Sequence, residues 1–185
     1  MTVSKKLSAL FFVAFVAQCS LYTSCTEKDT DPDEEQELIT TLKIVATNST
    51  NSSDVRTFMF KDLDGAGGNE PTIDNVSLAA NEVYNVAIEV LDESKVPAEN
   101  ITAEIAAEKN DHQLFFVPSV GLNLTNTYQD EDDNNLPVGL ATKFTTGAVS
   151  TGILTVTLKH QPDTKDNNIA TGETDVQVNF STVIQ

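Results

Sequence analysis

From Leu38 to the C-terminus the chain alternates apolar and polar side chains with a period of two. Leu42, Ile44 and Ala46 alternate with Lys43, Val45 and Thr47, Phe58 and Phe60 flank Met59, and Val86, Ile88 and Val90 are separated by Ala87 and Glu89. Farther on, Leu154, Val156 and Leu158 alternate with threonines, and Val176, Val178 and Phe180 with Gln177 and Asn179. Successive side chains of a strand point to opposite faces, so this spacing predicts antiparallel strands with one face on a core and one in water. Gln113–Val117 holds an unbroken apolar run and predicts a strand covered on both faces. Turn-forming stretches separate the runs at Asp62–Asn69, Asp92–Pro97, Gln129–Pro137, Gly147–Gly152 and Pro162–Gly172. Residues 100–107, NITAEIAA, fit either period: Ile101 and Ile105 share a helical face, and Ile101, Ala103 and Ile105 a strand face. The expectation is a strand there, followed by one turn through Glu108 to Asp111. No amphipathic helix of ten residues stands out, which argues against an α/β layout. About nine strands at this spacing, with at most one short helical turn, predict an all-β, immunoglobulin-like sandwich with Greek-key connections.

The first residues follow a different pattern. Lys5 and Lys6 precede an apolar run from Leu7 to Ala17, and small or polar residues then lead to Cys25. This is the layout of a secretory signal, and the run is shorter than the ~20 apolar residues that span a bilayer. Leu21-Tyr22-Thr23-Ser24-Cys25 resembles a bacterial lipobox, whose cysteine is acylated through its thiol and becomes the new N-terminus. Tyr22 departs from the aliphatic residue usual at that position, and Cys19, after Gln18, fits less well. Three segments follow: a signal over 1–24, an acylated Cys25 with a tether over 25–37, and a β-sandwich domain over 38–185.

Charge sharpens this division. The chain of 185 residues carries 28 acidic and 11 basic residues, a formal net charge of −17. Arg56 is its single arginine, so a polyanionic surface faces any phosphate backbone without a basic footprint, and nucleic-acid binding is excluded. Loss of residues 1–24 removes two lysines and no acid. Residues 26–37 hold seven acids and one lysine, a self-repelling, solvated tether. No cysteine occurs after Cys25, so the domain has neither a disulfide framework nor a thiol nucleophile.

Two resemblances extend the reading. Asp133-Asn134-Asn135-Leu136-Pro137-Val138-Gly139, leading into Leu140–Phe144, resembles the strand entry of bacterial immunoglobulin-like adhesin domains, with Asp92–Ile101 as a weaker echo. Across most of 38–185 the chain also resembles a family of small Bacteroidota outer-membrane lipoproteins. The residues that carry this are Phe58-x-Phe60-x-Asp62-x-Asp64-Gly65-x-Gly67-Gly68, Asp92-Glu93, Ile101-Thr102-Ala103-Glu104, Asp111-His112-Gln113, Gly121-Leu122-Asn123-Leu124, Lys159-His160-Gln161-Pro162 and Thr171-Gly172-Glu173-Thr174-Asp175. Members are often labelled type 1 periplasmic binding fold proteins, a bilobed α/β fold that neither the length nor the strand periodicity here supports. The resemblance implies an outer-membrane address and association with a TonB-dependent receptor. The acidic segment after Cys25 similarly resembles the signals that send such lipoproteins to the cell surface.

Three groups of residues carry candidate chemistry. Asp62, Asp64 and Asn69, with Asp74, surround a glycine-rich turn and place oxygen donors at alternate positions, as a calcium ion requires. The competing reading is a hairpin loop whose aspartates cap their own backbone. Asp130, Asp132 and Asn134 match the first half of a calcium loop, with Asn135 where glycine would sit, since Asn also tolerates the left-handed region. Both loops lack the closing bidentate Glu. His112 opens one predicted strand and His160 closes another. If the two meet at one rim, they form with Asp111 or Asp163 an open zinc or copper site. Signatures of nucleophilic, phosphate-binding, dinucleotide-binding or zinc-protease chemistry are absent, so the chain is not expected to be an enzyme. The sequence therefore predicts a lipid-anchored binding module that captures a small ligand or metal ion for a TonB-dependent receptor. The alternative is a structural or adhesive surface protein that binds another macromolecule.

Overall fold

The period-two runs fold as strands. In the computed structural model, which describes residues 38–65 and 67–185, the elements are β1 (Thr41–Asn48), β2 (Val55–Lys61), β3 (Thr72–Ile73), β4 (Val76–Leu78), β5 (Val83–Leu91), α1 (Ile101–Ala107), β6 (His112–Pro118), β7 (Leu124–Tyr128), β8 (Ala141–Thr146), β9 (Ser150–His160) and β10 (Glu173–Ile184). The signal, Cys25 and the tether expected from sequence lie outside the described residues.

The strands form two sheets, ordered β3-β2-β1-β5-β8-β7 and β4-β10-β9-β6, and the chain passes repeatedly from one to the other. This is the all-β sandwich the alternation predicts. Neighbours are antiparallel except β4, which pairs parallel with β10. Leu42, Ile44 and Ala46 of β1 face Val86, Ile88 and Val90 of β5, and from the other sheet Leu154, Val156, Leu158, Val178 and Phe180 meet them in one core. Each such Val, Leu, Ile or Phe side chain contributes about 1.5–3 kcal/mol on leaving water. Side chains close both flanks of the sandwich. The Arg56 guanidinium donates to the Ser77 carbonyl of β4, and the Tyr128 hydroxyl donates to the Leu114 carbonyl of β6.

Residues 101–107 correct the sequence reading: they form a helix of nearly two turns, not a strand. Ile101 and Ile105, at i and i+4, are each 1% exposed, whereas Ala103, which the strand reading put beside them, is exposed. The alanines favour the helix, and the Thr102 hydroxyl fastens its first turn by accepting from the Val90 amide. The short β3 and β4, beside the threonine-rich β7, raise the count to ten strands. β6 is covered on both faces only as far as Phe116: Gln113 and Phe115 are buried on its outer side, but Val117 is 47% exposed.

Candidate functional site

Strand direction gathers the polar loops at one end. β1 begins, and β2 and β5 finish, at the same level, which places residues 38–40, 62–71 and 92–100 together. β6 begins opposite the end of β9, and β10 begins there too, adding 108–111 and 161–172. The β7–β8 connection joins them through a bond from the Leu114 amide to the Val138 carbonyl. Gly139 makes this approach possible: its φ is +93°, and a Cβ there would lie 2.8 Å from both Cβ and the carbonyl oxygen of Leu114.

The two histidines meet. His112 and His160 are direct partners across β6 and β9, and their rings stack with centroids 4.6 Å apart and planes 10° from parallel. His112 is buried, with Nδ1 3.3 Å from the Glu108 carbonyl oxygen and 3.8 Å from its carboxylate. Burial pushes the His112 imidazole below its ordinary pKa, and the neighbouring His160 adds to that. Neither carboxylate named from sequence is bonded to this pair, and Asp175 reaches it through charge alone. Asp163 is exposed, and Asp111 acts on His112 only electrostatically. Asp175, the extra residue at a register shift between Thr174 and Val176, holds Oδ2 buried without a hydrogen-bond partner. Burial raises its carboxyl to about 6, against the pull of His160. Lone pairs of an imidazole lie in the ring plane, so parallel rings do not aim at one point. Among the described residues, no three His, Asp or Glu side chains converge as a ligand set.

The acidic loops use their carboxylates internally. Oδ2 of Asp64 accepts from the backbone and side-chain amides of Asn69, and the backbone amide above all holds its carboxyl below the usual range. Gly68 leaves room for it, since a Cβ there would lie 2.5 Å from that carboxyl carbon and the carboxylate would have to turn away. One oxygen of Asp62 is buried without a partner. Asp74 stands apart, exchanging bonds with β2: its carboxylate accepts from the Met59 amide at 2.9 Å, and its amide donates to the Met59 carbonyl. In the second loop Asp130 accepts from the amides of Gly139 and Ala141, and Oδ1 of Asp132 from those of Asn134 and Leu136. Asn135 takes the left-handed conformation expected of it, with φ +61°. Asn134 is exposed at the tip. An open groove of about 430 Å³ runs beside this loop, lined by Tyr128, Gln129, Asp130, Glu131, Asn135 and Pro137.

Sequence reasoning missed Lys165. Its ammonium lies 3.0 Å from Oδ2 of Asp132, a Coulombic contact between side chains only 2% and 0% exposed. The same ammonium donates to the Lys109 carbonyl, so an internal cation ties three loops together beside the acidic turn. Burial raises the Asp132 carboxyl, but the Leu136 amide and Lys165 outweigh it and leave the group below the usual range. Gln113 and Gln161, both fully buried, bind the 161–172 loop through Asn167, Asn168 and Thr171. The repeated His-Gln dipeptide, at 112–113 and 160–161, was the available signal for them.

No protein-family model, curated protein or solved structure matches the chain. The class defined by fold and site is an all-β sandwich with a polar, carboxylate-rich rim around a stacked histidine pair.

Proposed function

We propose that the protein is an outer-membrane lipoprotein, held by an acylated Cys25 at the cell surface, whose sandwich captures a divalent transition-metal ion without catalysing a reaction. A TonB-dependent receptor is the proposed recipient of that cargo. The observation that supports this most is the pairing of His112 with His160. Facing residues of antiparallel strands sit ~4.5–5.5 Å apart at Cα, so rotation of one ring lets both imidazoles address one ion. Zinc and copper accept imidazole together with carboxylate, and Asp175 has an oxygen to spare. Binding would displace the Asp175 proton below pH ~6, which makes affinity fall in acid.

Calorimetry with zinc and with copper(II) tests the site. The wild type is expected to bind one ion per chain, and the His112→Ala/His160→Ala variant none. Equal binding by both proteins, or none by either, removes the reading. Copurification from membranes with a receptor barrel supports the receptor association. Protease treatment of intact cells tests display, since a chain cut only after lysis is not on the surface.

A further inference from the structure

The two sheets end side by side on one flank. The six-stranded sheet finishes there with β2 and β3, and the four-stranded sheet with β10 and β4. The chain crosses from one edge to the other between Ile73 and Val76, so β3 lines β2 near the rim, whereas β4 lines only residues 182–184 of β10. Over residues 173–181, β10 has β9 on one side and, among the described residues, no strand on the other.

The register fixes which main-chain groups face that open edge. The Gln185 amide donates to the Leu78 carbonyl and the Gln185 carbonyl accepts from the Ala80 amide, so Gln185 turns its main chain toward the β4 side. Directions repeat every second residue of a strand, which turns Gln177 and Asn179 the same way. β9 agrees, since Ile153, opposite Ser181, gives its carbonyl to the Ser119 amide on its far side. Gln177 and Asn179 therefore each hold an N–H and a C=O off the edge, and no turn among the described residues bonds to these groups. Their side chains are engaged elsewhere, with Thr157 and Thr155 of β9. Exposed edges are commonly guarded by lysine, proline or a bulge. The bulge after Thr174 guards the rim end of this one, but residues 176–181 hold no charge and no proline. Apolar side chains border the same stretch: Val176 and Phe60 are only partly buried against the core, and Ile73, directly opposite Phe60, is 41% exposed.

We propose that this edge accepts an extended segment of another protein as an added strand of the four-stranded sheet, with alternate apolar side chains of that segment against Val176, Phe60 and Ile73. The backbone selects the class of occupant. N–H and C=O pairs that repeat every two residues, about 6.8 Å along the edge, are matched by a second extended main chain and by neither a sugar nor a lipid. Charge selects the ends of that segment. Glu173 and Asp175 stand at the start of the open run, Glu70 and Asp74 lie on either side of β3, and Lys61 on the same flank is already paired with Glu93. A segment with lysine or arginine at its ends is therefore favoured, and a second copy of this acidic chain is not.

The probe is a blocked, fluorescent peptide of about nine residues, alternating valine and threonine with lysine at each end, titrated against the full chain in mild detergent. Fluorescence anisotropy is expected to show binding near about 100 µM. Asn179→Pro removes an N–H that the β9 ladder does not use, and is expected to weaken binding about tenfold in a protein whose melting transition shows it folded. N-methylation of alternate peptide residues should do the same, and glutamate in place of the lysines should weaken binding less at high salt than at low. On binding, exchange of the Gln177 and Asn179 amides should slow, while the Val178 and Phe180 amides, bonded to β9, stay protected throughout. No binding up to about 1 mM, binding that survives both the proline and the N-methyl groups, or unaltered exchange at Gln177 and Asn179 overturns the proposal. So does protection of those two amides by rising protein concentration alone, which would make a second copy the occupant. Because neither histidine is touched, failure here is distinct from failure of metal capture.

Discussion

Replacing Lys165 by Met isolates what the buried ion pair does. The ammonium and the Asp132 carboxylate are 3.0 Å apart, with side chains 2% and 0% exposed. At an effective dielectric constant of ~20 that separation corresponds to roughly 5 kcal/mol of attraction, set against a desolvation cost of several kcal/mol for each ion. The net value of the pair is therefore small, but removal of one partner is expensive. Lys165→Met keeps an unbranched stem, leaves the Asp132 charge buried and strips the Lys109 carbonyl of its donor. The expected loss of stability at pH 7 is about 3–5 kcal/mol. The amides of Asn134 and Leu136 still hold Oδ1 and limit the damage.

The pH dependence gives an independent check. In the wild type Asp132 sits below the ordinary carboxylate range, so its contribution is present above the unfolded pKa and lost as pH falls through the folded value. Without Lys165, burial dominates and the folded pKa rises. The penalty of the variant should then be full at pH 7 and shrink as acid neutralises Asp132. Urea denaturation at pH 7 and pH 4.5 measures this. Repeating it in low and high salt should change little, because a buried pair is poorly screened. Lys165→Met/Asp132→Asn should recover more than half of the loss. A single-variant loss under about 1 kcal/mol, or strict additivity in the double variant, would refute the reasoning, since either is the behaviour of an exposed pair.

Two further outcomes follow from the same end of the sandwich. Asp175 has its carboxyl raised to about 6, so the stability it contributes is full below the unfolded value near 4 and is lost as pH rises through 6. Asp175→Asn should therefore stabilise the fold against denaturant at pH 7.5 by about 1–2 kcal/mol after allowance for solvent screening, and confer no advantage at pH 4; an equal effect at both would show that the charge is not responsible. Gly139→Ala puts a Cβ 2.8 Å from Leu114 at a φ of +93°, and should cost more than about 2 kcal/mol in denaturant unfolding, whereas a loss below half of that would mean the loop shifts freely.

How legible the domain was from sequence varied with the range of the interaction. Inward positions followed from the period of two: Leu42, Ile44, Leu154 and Leu158 are at most 1% exposed. The Asn135 turn was readable because a left-handed position has few candidate residues. Residues 101–107 were misjudged because isoleucines at i and i+4 also sit at even spacing, and alanine settles on helix only once both periods are weighed against propensity. Lys165 was invisible for a different reason. It lies in a loop, 33 residues from Asp132, and local pattern carries no information about which loops a sandwich brings together. The histidine pair lay between these cases: each strand end could be located, and their meeting depended on the β6–β9 register.

That register also determines what the acidity does. Apart from Asp54, Asp74, Glu82 and Glu89, the carboxylates of 38–185 lie on or beside the connections of one end, the end at which the chain enters through Leu38 to Thr40. A rim of one sign concentrates cations around itself. Concentration is not coordination, however. Asp64 is committed to Asn69, Asp130 to two backbone amides, Asp132 to Lys165 and Asp133 to Lys109. At the centre of the rim, His112 and His160 make no hydrogen bond to each other's ring, and Asp175 keeps an unpartnered oxygen. On the proposed reading the many committed carboxylates raise the local cation concentration, while three side chains with donor capacity to spare decide which cation stays. Charge reversal of Asp133 or Glu131 should then slow capture and make its salt dependence shallower without changing the metal preferred, whereas a change at His112 or His160 should alter the preference itself.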